Sequence, residues 1–193
     1  MPSNIRFAVV CSSNQNRSME THLFLSKRGF KVRSFGTGDK VKLPGNAPDK
    51  PNVYDFGTPY ETMYQDLMRK DKNLYTNNGI LNMLDRNKRI KRAPEKFQLS
   101  SEIFDVIFTV EERVYDQVVE EFSRRTIEHN SPVHVINIDV LDNHEEATLG
   151  AFMFCDLAQQ MAESDDLDND IDELLQEFES KKSRTILHSI QFY

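Results

Sequence analysis

The fold of this 193-residue chain is limited first of all by the pattern of residues 5–35. Residues 5–10 form a short apolar run, which is typical of a strand buried on both faces of a parallel sheet. A polar loop follows, then helical spacing at residues 18–28, a glycine at position 29 where a helix often ends, and an alternating stretch at residues 30–35. Strand, short loop, helix and strand make up a βαβ unit, which requires two parallel strands.

The rest of the chain continues this alternation. Apolar runs at residues 104–110 and 133–138 indicate two more buried strands, and residues 184–193 alternate like a final strand. Helical spacing recurs at residues 60–72, 80–89, 111–123, 145–162 and 168–181. We therefore predict an α/β fold, an open and mainly parallel twisted sheet with helices on both faces, in one domain over residues 1–193. The Gly- and Pro-rich residues 36–59 are expected to form a long ordered loop.

Composition narrows the classes of partner. The formal net charge is −7, so we expect no direct nucleic-acid partner. No apolar run approaches the roughly 20 residues that span a bilayer, so we expect no membrane partner. Two cysteines cannot build a disulfide framework, which is typical of a reducing compartment. No His and Cys residues have the spacing of zinc ligands, and we expect neither a metal nor another cofactor.

The loop within VVCSSNQNRS, residues 9–18, is suited to bind an oxyanion. It joins a predicted strand to the start of a helix, so its backbone N–H groups should converge where the helix dipole adds positive potential. Small residues allow the backbone to curl around an anion. That field favours the nucleophilic thiolate form of Cys11, and Arg17 offers a planar fork of donors to two phosphate oxygens. The alternative interpretation is a buried structural cysteine, because this spacing also occurs by chance.

Cys11-Ser-Ser-Asn14-Gln-Asn-Arg17-Ser18 resembles the signature of the low-molecular-weight protein tyrosine phosphatases. The resemblance implies the fold of that family, here with an inserted loop and helix segment and a C-terminal extension, and a phosphocysteine intermediate. It implies that Cys11 is the nucleophile and Arg17 the phosphate clamp. Asn14 would brace the loop, and Ser18 would donate a hydrogen bond to the thiolate. The other predicted residues of the phosphate-binding loop are Ser12, Ser13, Gln15 and Asn16.

Longer stretches (KLPG, DKPNVYDF, NGILNMLDRNKRI, EERVYDQVVE and DNHEEATLGAF) resemble the eukaryotic phosphatases that act on serine in the C-terminal repeat of RNA polymerase II. The resemblance implies a phosphorylated repeat peptide as substrate, with its serine–proline bond in the cis form. It also implies a symplekin-like scaffold of the pre-mRNA cleavage and polyadenylation machinery as partner, and a nuclear location with an additional cytoplasmic pool. Phosphoserine is shorter than phosphotyrosine, so Lys42, Pro44 and the helix carrying Met83 are expected to wall a shallow groove that binds the substrate.

The general acid is expected in NIDVLDNHEEA, after the fourth strand, because the leaving serine oxygen needs a proton. Tyrosine phosphatases of this superfamily use an Asp followed by Pro, and neither Asp139 nor Asp142 has that neighbour. We predict Asp142, which is nearer the tip of the loop and whose Asp-Asn-His pattern resembles the serine phosphatases, with Asp139 as a supporting partner or substitute. The alternative role of Asp142 is to cap the next helix in a capping box with Glu145. Asn143 with Glu146 fits the same box.

Other functions remain open at this point. An arsenate reductase can use the same loop but needs further redox cysteines, and the chain offers only Cys155, which is expected in a helix core. A non-enzymatic phosphopeptide-binding scaffold is the other alternative, against which intact Cys11 and Arg17 argue. The basic run NKRIKR, residues 87–92, is interpreted either as a solvated helix end or as a nuclear-localisation or peptide-steering patch.

Overall fold

A computed structural model of the chain describes residues 4–193, so the first three residues of the predicted domain lie outside this description. Within the described residues, strands and helices follow one another as β1 (Arg6–Cys11), α1 (Arg17–Lys27), β2 (Lys31–Gly36), β3 (Val41–Ala47), β4 (Lys50–Tyr54), α2 (Tyr60–Asn77), α3 (Ile80–Ile90), β5 (Val106–Thr109), α4 (Glu112–Arg124), β6 (Pro132–Ile138), α5 (His144–Glu163), α6 (Leu167–Lys182) and β7 (Ile186–Phe192). None of these helices is long and apolar enough to cross a membrane.

The central sheet has the strand order β2-β1-β5-β6-β7. Strands β2, β1, β5 and β6 pair in parallel, and β7 is antiparallel to β6. The parallel register begins with Arg6 opposite Lys31 and ends with Cys11 opposite Gly36. The predicted open and mainly parallel sheet is confirmed.

Strand β1 is buried on both faces because helices cover both sides of the sheet. Phe7, Val9 and Cys11 face a core shared with α1, α5 and α6. Ala8 and Val10 face the opposite core, which α4 covers. These positions alternate along one strand, so a continuous apolar sequence is what burial on both faces requires.

Residues 36–59 do not form the expected loop. They contain the antiparallel hairpin of β3 and β4, in which Val41 lies opposite Tyr54. Val41 and Leu43 are buried in a core with α2 and α3. Lys42, which lies between them, and Pro44, which follows them, are exposed. The period-two pattern was therefore present but short, and the surrounding Gly and Pro residues obscured it. Gly45 is needed at its position, since a Cβ atom there would lie 1.7 Å from the Lys50 carbonyl oxygen.

Helices α2 and α3 pack with the hairpin against α1 and form the third part of the core. The long α2 continues to Asn77, beyond the predicted end at residue 72, and is kinked at Asp71. Gly79 precedes α3 with φ +81°, a left-handed conformation that glycine adopts without strain. Met19 of α1 is buried among these helices, so the insert abuts the helix that follows the candidate loop.

Candidate active site

The loop of residues 12–16 joins β1 to α1 and surrounds the Cys11 thiol. Cys11 is 3% exposed. The backbone N–H of Asn14 donates to Cys11 Sγ over 3.2 Å, and the Ser18 hydroxyl oxygen lies 3.0 Å from the same sulfur. Asn14 has φ 54°, so the loop turns through a left-handed residue that is not glycine.

Asn14 and Ser18 make the contacts that their predicted roles require. The Asn14 side-chain amide donates to Ser18 Oγ over 2.9 Å, which leaves the proton of the Ser18 hydroxyl free to point at Cys11 Sγ. The Asn14 side-chain oxygen accepts the Glu95 N–H over 3.1 Å. Asn14 is fully buried, and its side chain ties the loop to the segment after α3.

Backbone donors from the end of β2 hold the first two carbonyl groups of the loop. The Thr37 N–H donates to the Cys11 carbonyl oxygen over 3.0 Å, and the Gly38 N–H donates to the Ser12 carbonyl oxygen over 3.0 Å. Gly38 comes close to the loop, because a Cβ atom there would lie 3.0 Å from the Ser12 carbonyl oxygen.

Side chains of the α2–α3 insert hold the next two outward carbonyl groups. The Tyr60 hydroxyl donates to the Asn14 carbonyl oxygen over 2.7 Å. Burial, together with the nearby Cys11, raises the pKa of Tyr60, which keeps this hydroxyl protonated as a donor. The Gln15 carbonyl oxygen accepts from Arg86 Nη2 and Asn87 Nδ2, each over 2.8 Å.

These outward carbonyl groups determine where the loop's N–H groups point. In a planar trans peptide the C=O and the following N–H point in opposite directions. The N–H groups of Ser12, Ser13, Gln15 and Asn16 are therefore turned towards the inside of the loop, beside Cys11. Convergent N–H groups at a helix N-terminus form an anion site, as the sequence predicted.

Arg17 lies beside this site with one edge of its guanidinium available. The residue is 7% exposed. Its Nη1 donates to the Val140 carbonyl oxygen over 2.9 Å, and its Nη2 lies 3.4 Å from Glu111 Oε1. Nε is 3.8 Å from Asp142 Oδ1, which is too long for a hydrogen bond. With Nη1 bonded to Val140, the Nε–Nη2 edge is the one that can offer two parallel donors to a phosphate, once Nη2 gives up its long contact with Glu111.

Asp142 reaches the same site from the loop after β6. Its Oδ1 accepts from Asn16 Nδ2 over 3.0 Å, and its side chain is 64% exposed. The cap of α5 is Asn143, whose side-chain oxygen accepts the Glu146 N–H over 2.9 Å. The capping alternative for Asp142 is therefore wrong, because its neighbour fills that role.

Asp139 occupies a different position from Asp142. Its Oδ1 accepts the Glu112 N–H over 3.1 Å and the Asn137 side-chain amide over 3.0 Å. Asp139 therefore holds the start of α4 against the end of β6. Asp139 and Asp142 line the same groove. The Asp139 carboxylate is already bonded to the Glu112 N–H at the start of α4 and to the Asn137 side chain.

A cleft of about 290 Å³ opens above Cys11 and contains the three predicted substrate-binding residues. Lys42 and Pro44 of β3 and Met83 of α3 line it together with the loop and Asp142. The Lys42 N–H donates to Ser13 Oγ over 3.2 Å, which fixes the hairpin at the edge of the loop. The structure thus brings the predicted groove residues and loop residues to one cleft. Asn14 and Ser18 are the exceptions among the described residues, because both are fully buried and contact Cys11 without lining the cleft. The Gln15 side-chain amide lies 3.6 Å from Met63 Sδ.

Sequence reasoning missed the residues that support the loop from behind. Tyr60, Arg86 and Glu111 carried no recognised signal, since each contacts the loop from a distant part of the chain. The basic run at residues 87–92 is a solvated surface only in part. Asn87 is fully buried, and Lys91 donates to the Ser34 carbonyl and Glu95 from a side chain that is 13% exposed. The other basic residues of the run, Lys88, Arg89 and Arg92, are exposed.

Cys155 lies in the core, as predicted. It is fully buried in α5, and burial raises the pKa of its thiol to about 11. A buried thiol with that pKa is a poor nucleophile. Among residues 4–193, no three His, Cys, Asp or Glu side chains form a group that could hold a metal ion.

Comparisons with known proteins identify the family of this chain. Residues 5–193 match the family model described as Ssu72-like protein. The chain is 68% identical to the RNA polymerase II C-terminal domain phosphatase SSU72 of Gallus gallus and 67% identical to that of Homo sapiens, in each case over the full length of both chains. A crystal structure of Drosophila melanogaster Ssu72 with Symplekin, bound to a cis peptidomimetic CTD phosphoserine peptide, has 60% identity and a TM-score of 0.98, with all of both chains covered. The chain belongs to the Ssu72 family.

Proposed function

We propose that this protein is a cysteine phosphatase that removes phosphate from phosphoserine–proline in the C-terminal repeat of RNA polymerase II. The observation that carries this proposal is the loop around Cys11, in which four N–H groups and the Arg17 fork face one thiol. Such a site can hold the three non-bridging oxygens of a phosphate and leave its phosphorus open to attack. The names of the relatives support the choice of substrate.

The reaction proceeds in two steps. The Cys11 thiolate attacks phosphorus, so a phosphorus–sulfur bond forms and the bond to the serine oxygen breaks. The departing oxygen takes the electron pair of that bond and a proton from Asp142. Water then attacks the phosphocysteine, Asp142 accepts its proton, and the Cys11 thiolate leaves with the Ser18 hydroxyl donating to it. The products are the serine peptide and inorganic phosphate.

The shape of the cleft supports the preference for a cis proline. Cys11 lines this cleft together with Lys42 and Pro44 of β3 and Met83 of α3. A phosphoserine brings the peptide backbone close to this rim, and a cis serine–proline bond directs the next residues away from it. The Drosophila relative is bound to a cis peptidomimetic, which supports the same mode here.

The proposal also includes an assembly and a location for the protein. We place the protein with a symplekin-like scaffold, in pre-mRNA processing and in the nucleus. The complex of the Drosophila relative with Symplekin supports the partner. The location is tested by imaging the tagged chain in cells, where exclusion from the nucleus would contradict it.

The test of the proposed function is phosphate release from a phosphoserine–proline repeat peptide. The wild-type protein should first consume the cis fraction, roughly 10–30% of the peptide, in a burst and then slow to the rate of isomerisation. Added prolyl isomerase should accelerate the slow phase. The matched blank is Cys11→Ser, which should release no phosphate, because an alkoxide forms far less readily than a thiolate.

Two outcomes would contradict the proposal. Phosphate release by Cys11→Ser above a trace would exclude Cys11 as the nucleophile. Equal rates on cis-locked and trans-locked mimics of the serine–proline bond would exclude the cis preference and leave the phosphatase activity in place.

A further inference from the structure

One helix both lines the cleft and contacts the phosphate-binding loop. The N-terminal half of α3 lines the cleft through Ile80 and Met83. One turn later, Arg86 and Asn87 contact the backbone of the loop at Gln15. Both residues are buried, with Arg86 8% exposed and Asn87 fully covered.

The contacts of Arg86 form a closed network. Its Nη2 donates to the Gln15 carbonyl oxygen over 2.8 Å. Its Nε and Nη2 donate to the Asn87 side-chain oxygen over 3.1 Å and 2.9 Å, and its Nη1 pairs with Glu20 of α1. The Asn87 amide then donates to the same Gln15 carbonyl over 2.8 Å. One carbonyl oxygen thus receives two donors that also hold each other in place.

This network determines the direction of one N–H group in the site. The Gln15 carbonyl and the Asn16 N–H belong to the same planar trans peptide, so they point in opposite directions. Two donors behind the loop draw the carbonyl outwards, and the Asn16 N–H is thereby directed inwards. The neighbouring peptide is held in the same manner by Tyr60, through a single hydroxyl.

We propose that Arg86 and Asn87 are positioning residues for the phosphatase reaction, which direct the Asn16 N–H at the transferred phosphate. The inference rests on the proposed function, since it assumes that a phosphate occupies the loop. Neither residue touches the substrate. Their effect passes through the Gln15–Asn16 peptide.

Arg86 supplies both a hydrogen-bond geometry and a positive charge. The charge is paired with Glu20 inside the protein. A lysine at this position keeps the charge beside Glu20, but a single ammonium group cannot reproduce the planar fork that joins Glu20, Asn87 and the Gln15 carbonyl. Arg86→Lys therefore separates the two contributions.

The experiment follows backbone amide resonances by NMR while inorganic phosphate is added. In the wild-type protein the N–H resonances of Ser12, Ser13 and Asn16 should all move downfield as they bond to the anion. In Arg86→Lys at saturating phosphate, the Asn16 shift should shrink by half or more. The Ser12 and Ser13 shifts should persist, because Thr37 and Gly38 hold those peptides. A general loss of stability would not select one amide in this way.

The kinetic counterpart uses nitrophenyl phosphate as substrate and inorganic phosphate as competitive inhibitor. Arg86→Lys should weaken phosphate inhibition and lower kcat, each by roughly 10- to 100-fold, the range for hydrogen bonds to charged groups. The matched control is Asp85→Asn on the outer face of the same helix, where Asp85 pairs only with Lys88 and Arg89 among the described residues. It should leave both constants within about twofold of wild type.

The outcomes separate this inference from the proposed function. A wild-type protein that neither binds phosphate nor releases it would overturn both. A wild-type protein that turns over normally, with unchanged Asn16 shift and inhibition constant in Arg86→Lys, would overturn the positioning role alone. If Arg86→Lys does not fold, Asn87→Ala decides, because it removes one of the two donors to the Gln15 carbonyl and the oxygen that holds Arg86, while the pair of Arg86 with Glu20 remains. An unchanged Asn16 shift in that variant would equally overturn the inference.

Discussion

Replacing Asp142 with asparagine removes a proton and a charge but little shape. The amide keeps an oxygen that can accept the 3.0 Å bond from Asn16 Nδ2, so the side chain should stay where it is. If Asp142 protonates the leaving serine oxygen, its loss should slow phosphoserine hydrolysis by roughly 10²–10⁴-fold, or about 3–5 kcal/mol of transition-state stabilisation. Nitrophenol leaves as a stable anion without a proton, so its phosphate ester should lose less than about tenfold.

The lost charge should act in the opposite direction on phosphate binding. Asp142 Oδ1 lies 3.8 Å from Arg17 Nε, where it competes with a bound anion and repels it. Two unit charges about 4 Å apart interact by about 1 kcal/mol in water, and a side chain that is 64% exposed belongs near that limit. Asp142→Asn should therefore bind inorganic phosphate roughly fivefold more tightly.

The assay compares kcat for a phosphoserine peptide and for nitrophenyl phosphate, together with the inhibition constant for inorganic phosphate. Asp139→Asn is the matched control, because it removes a carboxylate of the same loop that binds the backbone of α4. Equal losses on the two substrates would refute the acid role of Asp142. A larger and substrate-selective loss in Asp139→Asn would transfer that role to Asp139.

Two further predictions concern the clamp and the core. Arg17→Lys should weaken inhibition by inorganic phosphate by roughly 10- to 100-fold, because a point charge replaces the Nε–Nη2 fork, and near-normal inhibition would remove Arg17 from the site. Burial, with Lys91 and Arg33 nearby, lowers the pKa of His22 from 6.5 to about 4, so only the unfolded chain gains a proton as pH first falls below 6.5. Neutral His22 therefore stabilises the folded state fully above pH 6.5, and this stabilisation is lost as pH falls towards 4. The free energy of unfolding should fall by about 2 kcal/mol between roughly pH 7.5 and pH 5. Urea unfolding of His22→Asn should show that much less pH dependence than wild type, and an equal dependence would exclude His22 as its source.

Local patterns were enough to predict the sheet and the front of the site. Strand β1, the loop and α1 are continuous in sequence, so the placement of Cys11, Arg17 and Ser18 followed from one βαβ unit. Asp142 was predicted in the loop after the fourth strand, and that loop lies beside Cys11 because parallel strands end at one edge of the sheet. The hairpin was missed because only Val41 and Leu43 carry its period, between glycines and prolines that favour a loop.

Local patterns did not predict the residues that support the phosphate-binding loop from behind. Tyr60 contacts Asn14 across 46 residues and Arg86 contacts Gln15 across 71, and neither spacing has a sequence signature. The buried Asn87 looked like the start of a solvated basic run, because composition does not show which side of a helix is covered. Hydrogen bonds between distant segments depend on packing, which a single sequence without the fold does not reveal.

The double role of α3 limits how this enzyme's peptide preference can be changed. Ile80 and Met83 line the cleft, while Arg86 and Asn87, one turn away on the same rigid helix, hold the loop. A substitution that tilts or shifts α3 to admit a bulkier peptide would also pull on the Gln15 carbonyl. Redesign of specificity should therefore start from the β3 side, at Lys42 and Pro44, where the Lys42 N–H bond to Ser13 Oγ is the hydrogen bond between hairpin and loop within residues 4–193.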